Sequence, residues 1–249
     1  MTGISAIALA GLPEVAAGDD LALLISRTGE ALGDGDVVCV AHKVVSKAEG
    51  RVRRLDDVEP GDRARELAAR LDRDPRHVQV VLDEAAQVVR DERVLICRTW
   101  NGFVCANAGV DASNAGAPDA VVLLPVDPDA SARALRAGLR ELTGASPAVL
   151  VTDSFGRAWR HGQAEVAIGC AGLEPLDDWR GRADRADREL AATWIAVADQ
   201  AAGAADLARA GKDSGEPVAI VRGLDRFVTA DDGPGAAALV RPPNEDLFR

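Results

Sequence analysis

Short apolar runs rich in valine, each ending in polar residues, recur along this chain and leave few folds open to it. The run Val37–Val45 is typical of a buried strand, and Ala148–Val151 leads directly into Thr152-Asp153-Ser154. Helical segments separate such runs: Asp127-Pro128-Asp129, for example, opens a helix that extends to about Thr143. Because some strands also fall in hairpin pairs, the sequence predicts an α+β (mixed α/β) fold rather than a plain Rossmann sheet.

The other segments are assigned in the same way. Asp19 or Asp20 can cap a short helix, Trp100-Asn101-Gly102 is a hairpin turn, and the strongly charged residues 178–190 are expected to form a solvated loop leading into a helix. No internal repeat or linker divides the chain, so residues 1–249 are predicted to form a single domain with room for two subdomains. Further strands are predicted at Ile4–Ala10, Val94–Cys97, Phe103–Cys105, Val121–Leu124, Glu165–Cys170 and Pro217–Val221, and further helices over 59–72, 78–90 and an Ala-rich zone ending near Ala210.

Charge and composition exclude several classes of function. The 40 acidic and 29 basic side chains give a net charge of −11, which argues against binding nucleic acid or an anionic membrane. No apolar run reaches the 18 or more residues of a spanning helix, and no basic residue precedes Arg27 as a signal peptide would require. The four cysteines lack C-x-x-C spacing and lie in apolar contexts, which predicts reduced, buried thiols and a cytoplasmic protein.

The common catalytic motifs are missing, which directs attention to the strand ends. The chain has no phosphate-binding P-loop, no G-x-G-x-x-G, no G-x-S-x-G and no H-E-x-x-H. Lys43 and Lys47, two of only three lysines, follow a predicted strand together with His42. They could meet phosphate as mobile point charges, or simply solvate the strand end.

Two other polar segments could bind ions. Asp111, with Ser113 and Asn114, and Asp153, with Ser154, offer the oxygen ligands that Mg²⁺ or Mn²⁺ prefers, although each aspartate could instead cap a turn. Arg157 and Arg160 lie three residues apart next to glycine. They suit phosphate or carboxylate binding, or they form ordinary surface salt bridges.

Four segments stand out along the chain: Gly11-Leu12-Pro13-Glu14-Val15, residues 41–50, residues 106–114 with 123–129, and Thr152-Asp153-Ser154-Phe155-Gly156-Arg157-Ala158-Trp159-Arg160 with Gly162-Gln163. Taken together, their order and spacing resemble the coenzyme F420:L-glutamate ligase family from about residue 3 to Gly223. The resemblance implies a family-specific fold without a P-loop, an intertwined homodimer, and addition of L-glutamate to the coenzyme F420 precursor with GTP, Mg²⁺ or Mn²⁺, and K⁺ as an accompanying cation. No nitroreductase-like second domain is expected.

The resemblance also implies roles for particular residues. Metal ligands would be Asp111, Asp153 and Ser154, while Arg157 and Arg160 are our own assignment for anchoring an acidic substrate. The segment Ala210-Gly211-Lys212 matches no family motif, so its role is left open. Nucleotide contacts would come from Leu12, Pro13, Glu14, Val15, His42, Lys43, Lys47 and Asn114.

The implied chemistry is activation of a carboxylate by GTP, followed by attack of the glutamate amine on an acyl phosphate. The first glutamate would be joined by an amide bond to the terminal carboxylate of the precursor, and later ones by γ-glutamyl linkage. Two alternatives stay open at this point: a GTP-dependent amide ligase acting on another acid acceptor, and a nucleotide-binding regulator without catalytic activity.

Overall fold

A computed structural model describes residues 3–209 and 211–247, and its main element is a five-stranded mixed sheet flanked by helices. The helices are α1 (Leu21–Ser26), α2 (His42–Ala48), α3 (Asp62–Leu71), α4 (Pro75–Glu84), α5 (Pro128–Thr143) and α6 (Val197–Ala208). The strands are β1 (Ser5–Ala8), β2 (Val37–Ala41), β3 (Val52–Arg54), β4 (Ala85–Arg90), β5 (Ile96–Thr99), β6 (Val104–Ala106), β7 (Ala120–Val122), β8 (Ala148–Arg157), β9 (Arg160–Ala171), β10 (Leu176–Asp178), β11 (Trp194–Ala196) and β12 (Val218–Arg222).

The strand order of the main sheet is β1-β12-β2-β8-β9. Only β2 and β8 are parallel; the other neighbours are antiparallel. Successive residues of a strand point to opposite faces, so Val38 packs with α1 and α5 while Val37 packs with α6. Both faces of the central strands are therefore buried, which explains why these segments are continuous apolar runs.

The main sheet has one core on each face, and a third core lies outside this sheet, in the segment between α2 and α5. Apolar residues of α3 and α4 pack there against the β4-β5-β6 sheet, with Leu67, Val78 and Cys97 among the buried side chains. A second small sheet pairs β3 with β7, and Val122 of β7 also pairs with Asp111 through an isolated bridge. This segment therefore positions the loop that contains Asp111.

Several features confirm the expectations from the sequence. The mixture of helices and mixed sheets is an α+β fold. Trp100-Asn101-Gly102 joins the antiparallel strands β5 and β6, and the Asp127 side chain caps α5 by accepting a hydrogen bond from the Ala130 N–H at 2.9 Å. All four cysteines are buried and free.

Other boundaries were wrong, each for an identifiable reason. The predicted strand Val37–Val45 ends at Ala41, because the parallel pairing with β8 ends there, and residues 42–48 form α2 instead. Valine favours strands only as a fit to a half-buried pleated surface, and in α2 Val44 and Val45 bury against the main core from a helix.

The edges of the molecule also differ from the prediction. Ile4–Ala10 was expected to be buried, but β1 is an edge strand with exposed alternate residues. The helix predicted over 78–90 ends at Glu84, because Ala85–Arg90 pairs with β5 as a strand. The charged loop after residue 178 leads into β11 before α6 begins. Ala210, the predicted end of the Ala-rich helix, lies outside the described residues.

Within residues 3–209 and 211–247, none of the helices combines the length and the apolar character needed to cross a bilayer.

Candidate functional site

The candidate site begins where β2 ends and its parallel pairing with β8 stops, while β8 itself continues to Arg157. Ala41 is paired with Thr152, so the next residues, His42 of α2 and Asp153 of β8, lie side by side at the carboxyl end of β2. His42 is buried, and its Nε2 lies 3.3 Å from Asp153 Oδ1, without the alignment of a good hydrogen bond. Its Nδ1 lies 3.4 Å from Ser46 Oγ, one helical turn further along α2.

Lys43, the next residue of α2, contacts the loop around Asp111. The Lys43 ammonium donates to Asp111 Oδ2 at 2.7 Å and to Ser113 Oγ at 2.6 Å. The loop is itself held in place, because the Ser113 N–H donates to Asp111 Oδ1 at 2.7 Å and the Asp111 backbone pairs with Val122. Lys43 therefore joins α2 to a preorganised carboxylate.

The electrostatic environment of Asp111 favours its charged form. Partial burial alone would raise the pKa of the Asp111 carboxyl, but hydrogen bonds from Lys43 and from the Ser113 N–H outweigh it and lower the pKa. The carboxylate is thus held ionised and close to a cation.

Lys47, one turn after Lys43, contacts the loop between β1 and α1. Its ammonium forms an ion pair with Glu14, while its aliphatic stem is buried. In the same loop, Leu12 and Val15 pack into the main core, and Pro13 is exposed. The loop proposed for the nucleotide therefore lies against α2.

Asn114, Lys212 and Ser154 connect the loop around Asp111 to β8. The Asn114 amide donates to the backbone oxygen of Lys212 at 3.3 Å, and the Lys212 ammonium donates to Ser154 Oγ at 2.5 Å. Ser154 follows Asp153 directly, and its N–H donates to Asp153 Oδ1 at 2.8 Å. The contacts thus form a closed ring. We call this set of residues the contact ring: His42, Lys43, Asp111, Ser113, Asn114, Lys212, Ser154 and Asp153.

Two residues beside the contact ring were not identified from the sequence. Glu165 on β9 accepts a hydrogen bond from Ser154 Oγ at 2.8 Å, and Arg209, just after α6, donates to Thr152 Oγ1 at 3.3 Å. Both side chains are buried. The available signal was Glu165 itself, a carboxylate directly before the apolar run of residues 166–171, where a buried charge needs partners.

Arg157 and Arg160 lie at the exposed end of the β8–β9 hairpin. Arg157 donates to the backbone oxygen of His161 at 2.7 Å, which closes the hairpin. Among the described residues, neither arginine forms a hydrogen bond or an ion pair with the contact ring. Along an extended strand, four residues separate Arg157 from Asp153 by roughly 13 Å. An acidic substrate would have to be elongated to reach both.

The donor set fits a hard divalent cation. Asp111, Asp153 and Ser154 present carboxylate and hydroxyl oxygens, and the ammonium groups of Lys43 and Lys212 already lie against Asp111 and Ser154. Among the described residues, no three His, Cys, Asp or Glu side chains converge as a ready-made metal cluster. Mg²⁺ held by one or two carboxylates together with substrate phosphates does not need one.

Comparison with known proteins gives the family. Residues 11–223 match the family model described as F420-0:Gamma-glutamyl ligase. This chain therefore belongs to the F420-0:gamma-glutamyl ligase family.

Relatives named "Coenzyme F420:L-glutamate ligase" match over nearly their whole length. The protein of Methanopyrus kandleri is 46% identical over 254 residues, covering 100% of both chains. That of Haloarcula marismortui is 44% identical, over 97% of this chain and 94% of its own. That of Methanothermobacter thermautotrophicus is 42% identical, over 99% of both chains.

Proposed function

We propose that this protein is a GTP-dependent ligase that adds L-glutamate to the coenzyme F420 precursor. The observation that carries the proposal is the contact ring, which gathers cationic and oxygen-bearing side chains from separate segments at the carboxyl edge of β2 and β8. The family match and the names of the relatives support glutamate ligation as the reaction.

The reaction joins an amine to a carboxylate, which is unreactive until it is activated. In the proposed first step, a carboxylate oxygen of the precursor attacks the γ-phosphorus of GTP; the bond from the γ-phosphorus to the bridging oxygen breaks, and GDP leaves. The glutamate amine then attacks the carbonyl carbon of the acyl phosphate, the C–O bond to phosphate breaks, and inorganic phosphate and a proton are released. Later glutamates would be joined through the γ-carboxylate of the one already attached.

The chain's own residues would bind and orient these groups. Lys43 and Lys47, on one face of α2, would meet the negative charge of the nucleotide phosphates as point charges. Asp111, Asp153 and Ser154 would hold Mg²⁺ or Mn²⁺, which when bound neutralises charge on the phosphates. The buried His42 would keep Asp153 in position, and Asn114 and the loop from Leu12 to Val15 would contact the nucleotide.

Arg157 and Arg160 would anchor the acidic substrate at the end of the hairpin, which is our own assignment and not one that the family resemblance implies. Other parts of the proposal follow from that resemblance. The homodimer and the accompanying K⁺ belong to the proposal as well.

The test is the mass of the product. Purified protein with GTP, Mn²⁺, L-glutamate and the glutamate-free coenzyme precursor should release GDP and form a product heavier by one glutamyl unit. No such product would refute the proposal. Turnover of a different acid in a panel of acceptors would indicate another amide ligase, and nucleotide binding with no acceptor-dependent GDP release would indicate a regulator.

Asp153→Ala should abolish turnover, because it removes a proposed metal ligand at the centre of the site. GDP release and product mass measure the effect. Asp62→Ala is the matched control, since Asp62 is a fully exposed carboxylate on α3, and it should leave turnover unchanged. Near-normal turnover of Asp153→Ala would remove Asp153 from the metal site.

A further inference from the structure

The Lys212 ammonium lies among oxygen atoms from three different elements. It is 2.5 Å from Ser154 Oγ on β8, 3.3 Å from Glu165 Oε1 on β9 and 3.7 Å from Asp206 Oδ1 on α6. The Lys212 side chain is 67% exposed, whereas that of Glu165 is only 4% exposed. A replaceable, solvent-facing cation therefore sits on a buried carboxylate.

Glu165 has more acceptor capacity than the protein uses. Its Oε1 accepts from Ser154 Oγ at 2.8 Å and from Lys212, but its Oε2 is buried and has no hydrogen-bond partner. A buried carboxylate oxygen without a partner is costly, and native proteins rarely leave one without a function. This orphan oxygen is an independent indication of a missing ligand.

Arg209, the second cation near Glu165, does not supply the hydrogen bond that Oε2 lacks. Arg209 Nη1 lies 3.8 Å from Glu165 Oε2, beyond hydrogen-bond distance; both Nη atoms donate to other groups, and Nε is buried without a hydrogen-bond partner. Nη1 donates to Thr152 Oγ1 at 3.3 Å, and Nη2 donates to the Cys39 backbone oxygen at 2.8 Å. Arg209 is thus a fixed positive charge that offsets Glu165, while Lys212 is tethered by a flexible stem and can move away.

We propose that Glu165 is an additional carboxylate of the cation site next to Ser154, and that the Lys212 ammonium occupies the cation's position on these two residues until a divalent cation displaces it. The inference rests on the cation requirement of the proposed function. Divalent cations prefer the oxygen donors that Ser154 and Glu165 supply, and the ammonium satisfies the same oxygens with a single charge.

Substitutions at the two positions should have opposite effects. Removing the charge of Glu165 takes away a ligand and should weaken cation binding. Removing the charge of Lys212 takes away a competitor and should strengthen it. If the two residues only formed an ion pair that stabilised the fold, the two substitutions would not change cation binding in opposite directions.

The experiment measures binding of Mn²⁺ alone to the full chain, without nucleotide, by calorimetry and by the electron paramagnetic resonance signal of free Mn²⁺. Glu165→Gln should weaken Mn²⁺ binding about tenfold or more, the scale on which loss of metal-site partners acts. Lys212→Met should tighten it. Asp199→Asn is the control, because Asp199 is a largely buried carboxylate that binds the Ala167 N–H of the same strand β9 but does not contact the contact ring in the described structure, and it should bind Mn²⁺ as the parent does.

The outcomes separate this inference from the proposed function. If the parent protein binds no Mn²⁺, the cation requirement of the proposed function fails. If the parent binds Mn²⁺ and makes product but Glu165→Gln binds Mn²⁺ equally well, only the present inference is overturned. Weaker binding by both variants would also overturn it, because Lys212 would then be a supporting residue rather than a competitor. Should Glu165→Gln fail to fold, the exposed Lys212→Met still decides: unchanged or weaker binding rejects the displacement.

Discussion

At the scale of single residues, positive side chains already neutralise the oxygens that the proposed reaction would use. Lys43 contacts Asp111, and Lys212 contacts Ser154 and Glu165. Under the proposed function, an acidic protein with a net charge of −11 would bind a nucleotide and acidic substrates that are also negative. The local arrangement resolves this, because the charge that a ligand meets is that of the nearest groups rather than that of the whole chain.

Asp199 gives a prediction for stability at this scale. Burial raises the pKa of the Asp199 carboxyl, although the hydrogen bond from the Ala167 N–H opposes the shift. A carboxyl whose pKa is higher in the folded than in the unfolded state costs stability once it is ionised in both states. We therefore expect Asp199→Asn, which keeps an acceptor for the Ala167 N–H, to raise the melting temperature at pH 7.

The pH dependence provides the check. The gain of Asp199→Asn should shrink as the pH falls toward the ordinary carboxyl pKa of about 3.9, since Asp199 is then protonated in the folded state and becomes protonated in the unfolded state as well. Melting temperatures of the parent and the variant between pH 7 and pH 4 measure this convergence. A gain that does not depend on pH would show that ionisation of Asp199 is not its cause.

At the scale of elements, α2 shows what could and could not be predicted from the sequence. The strand that precedes it and its polar residues were both recognised, but the change from strand to helix at Ala41 was not. Valine-rich sequence carries no local stop signal there, and the boundary depends on where the pairing with β8 ends. The helix brings Lys43 and Lys47 one turn apart on the same side, whereas an extended strand would place them on one face but roughly 13 Å apart.

Prediction of the candidate site from the sequence has the same limit, because local sequence does not show which residues meet in the fold. The resemblance singled out Asp111 and Asp153, yet their placement depends on contacts between residues far apart in sequence, such as Lys43 with Ser113. Glu165 was missed because it stands at the start of the predicted strand Glu165–Cys170, where a carboxylate can equally well face solvent. Long-range packing, rather than local sequence pattern, decides both where the two aspartates lie and whether Glu165 is buried.

Packing of β9 against α5 gives a prediction at this scale. A Cβ at Gly169 would lie 2.1 Å from the backbone oxygen of Pro128, at the first residue of α5. Because backbone cannot move away easily, Gly169→Ala should destabilise the protein by about 1–3 kcal/mol, measured by urea unfolding.

The control for this prediction is another glycine in a regular element. A Cβ at Gly203, in α6, would meet nothing within 4 Å. Alanine is the better helix former there, so Gly203→Ala should stabilise by about 0.5–1 kcal/mol. Equal effects of the two substitutions would contradict the close approach of β9 to α5.

At the scale of the whole molecule, one buried arginine fastens the C-terminal segment to the main sheet and α5. Arg136 is 1% exposed and donates to the backbone oxygens of Pro147, Thr229 and Asp231 at 2.7–3.0 Å. It also pairs with Asp232 at 2.8 Å. Since residues 229–232 lack a strand or helix of their own, these bonds satisfy the carbonyl groups of Thr229 and Asp231.

Arg136→Met should therefore destabilise the protein by about 3–5 kcal/mol, because the carbonyls and Asp232 lose their partner. It should also make the chain after Val228 sensitive to limited proteolysis, read by the mass of the fragments. Arg133→Met, at an exposed position one turn earlier on α5, should change neither property. Proteolysis at unchanged sites in Arg136→Met would show that the segment is held by other contacts.

The strand order β1-β12-β2 has a consequence for synthesis on the ribosome. β12 is the last strand of the main sheet to be translated, yet it lies between the first two. At about 5–20 residues per second, the ribosome takes on the order of ten seconds to pass from β2 to β12. During that interval the nascent chain presents one apolar edge of β2 without its neighbour, which is the kind of surface that chaperones bind and that stalled chains use to aggregate.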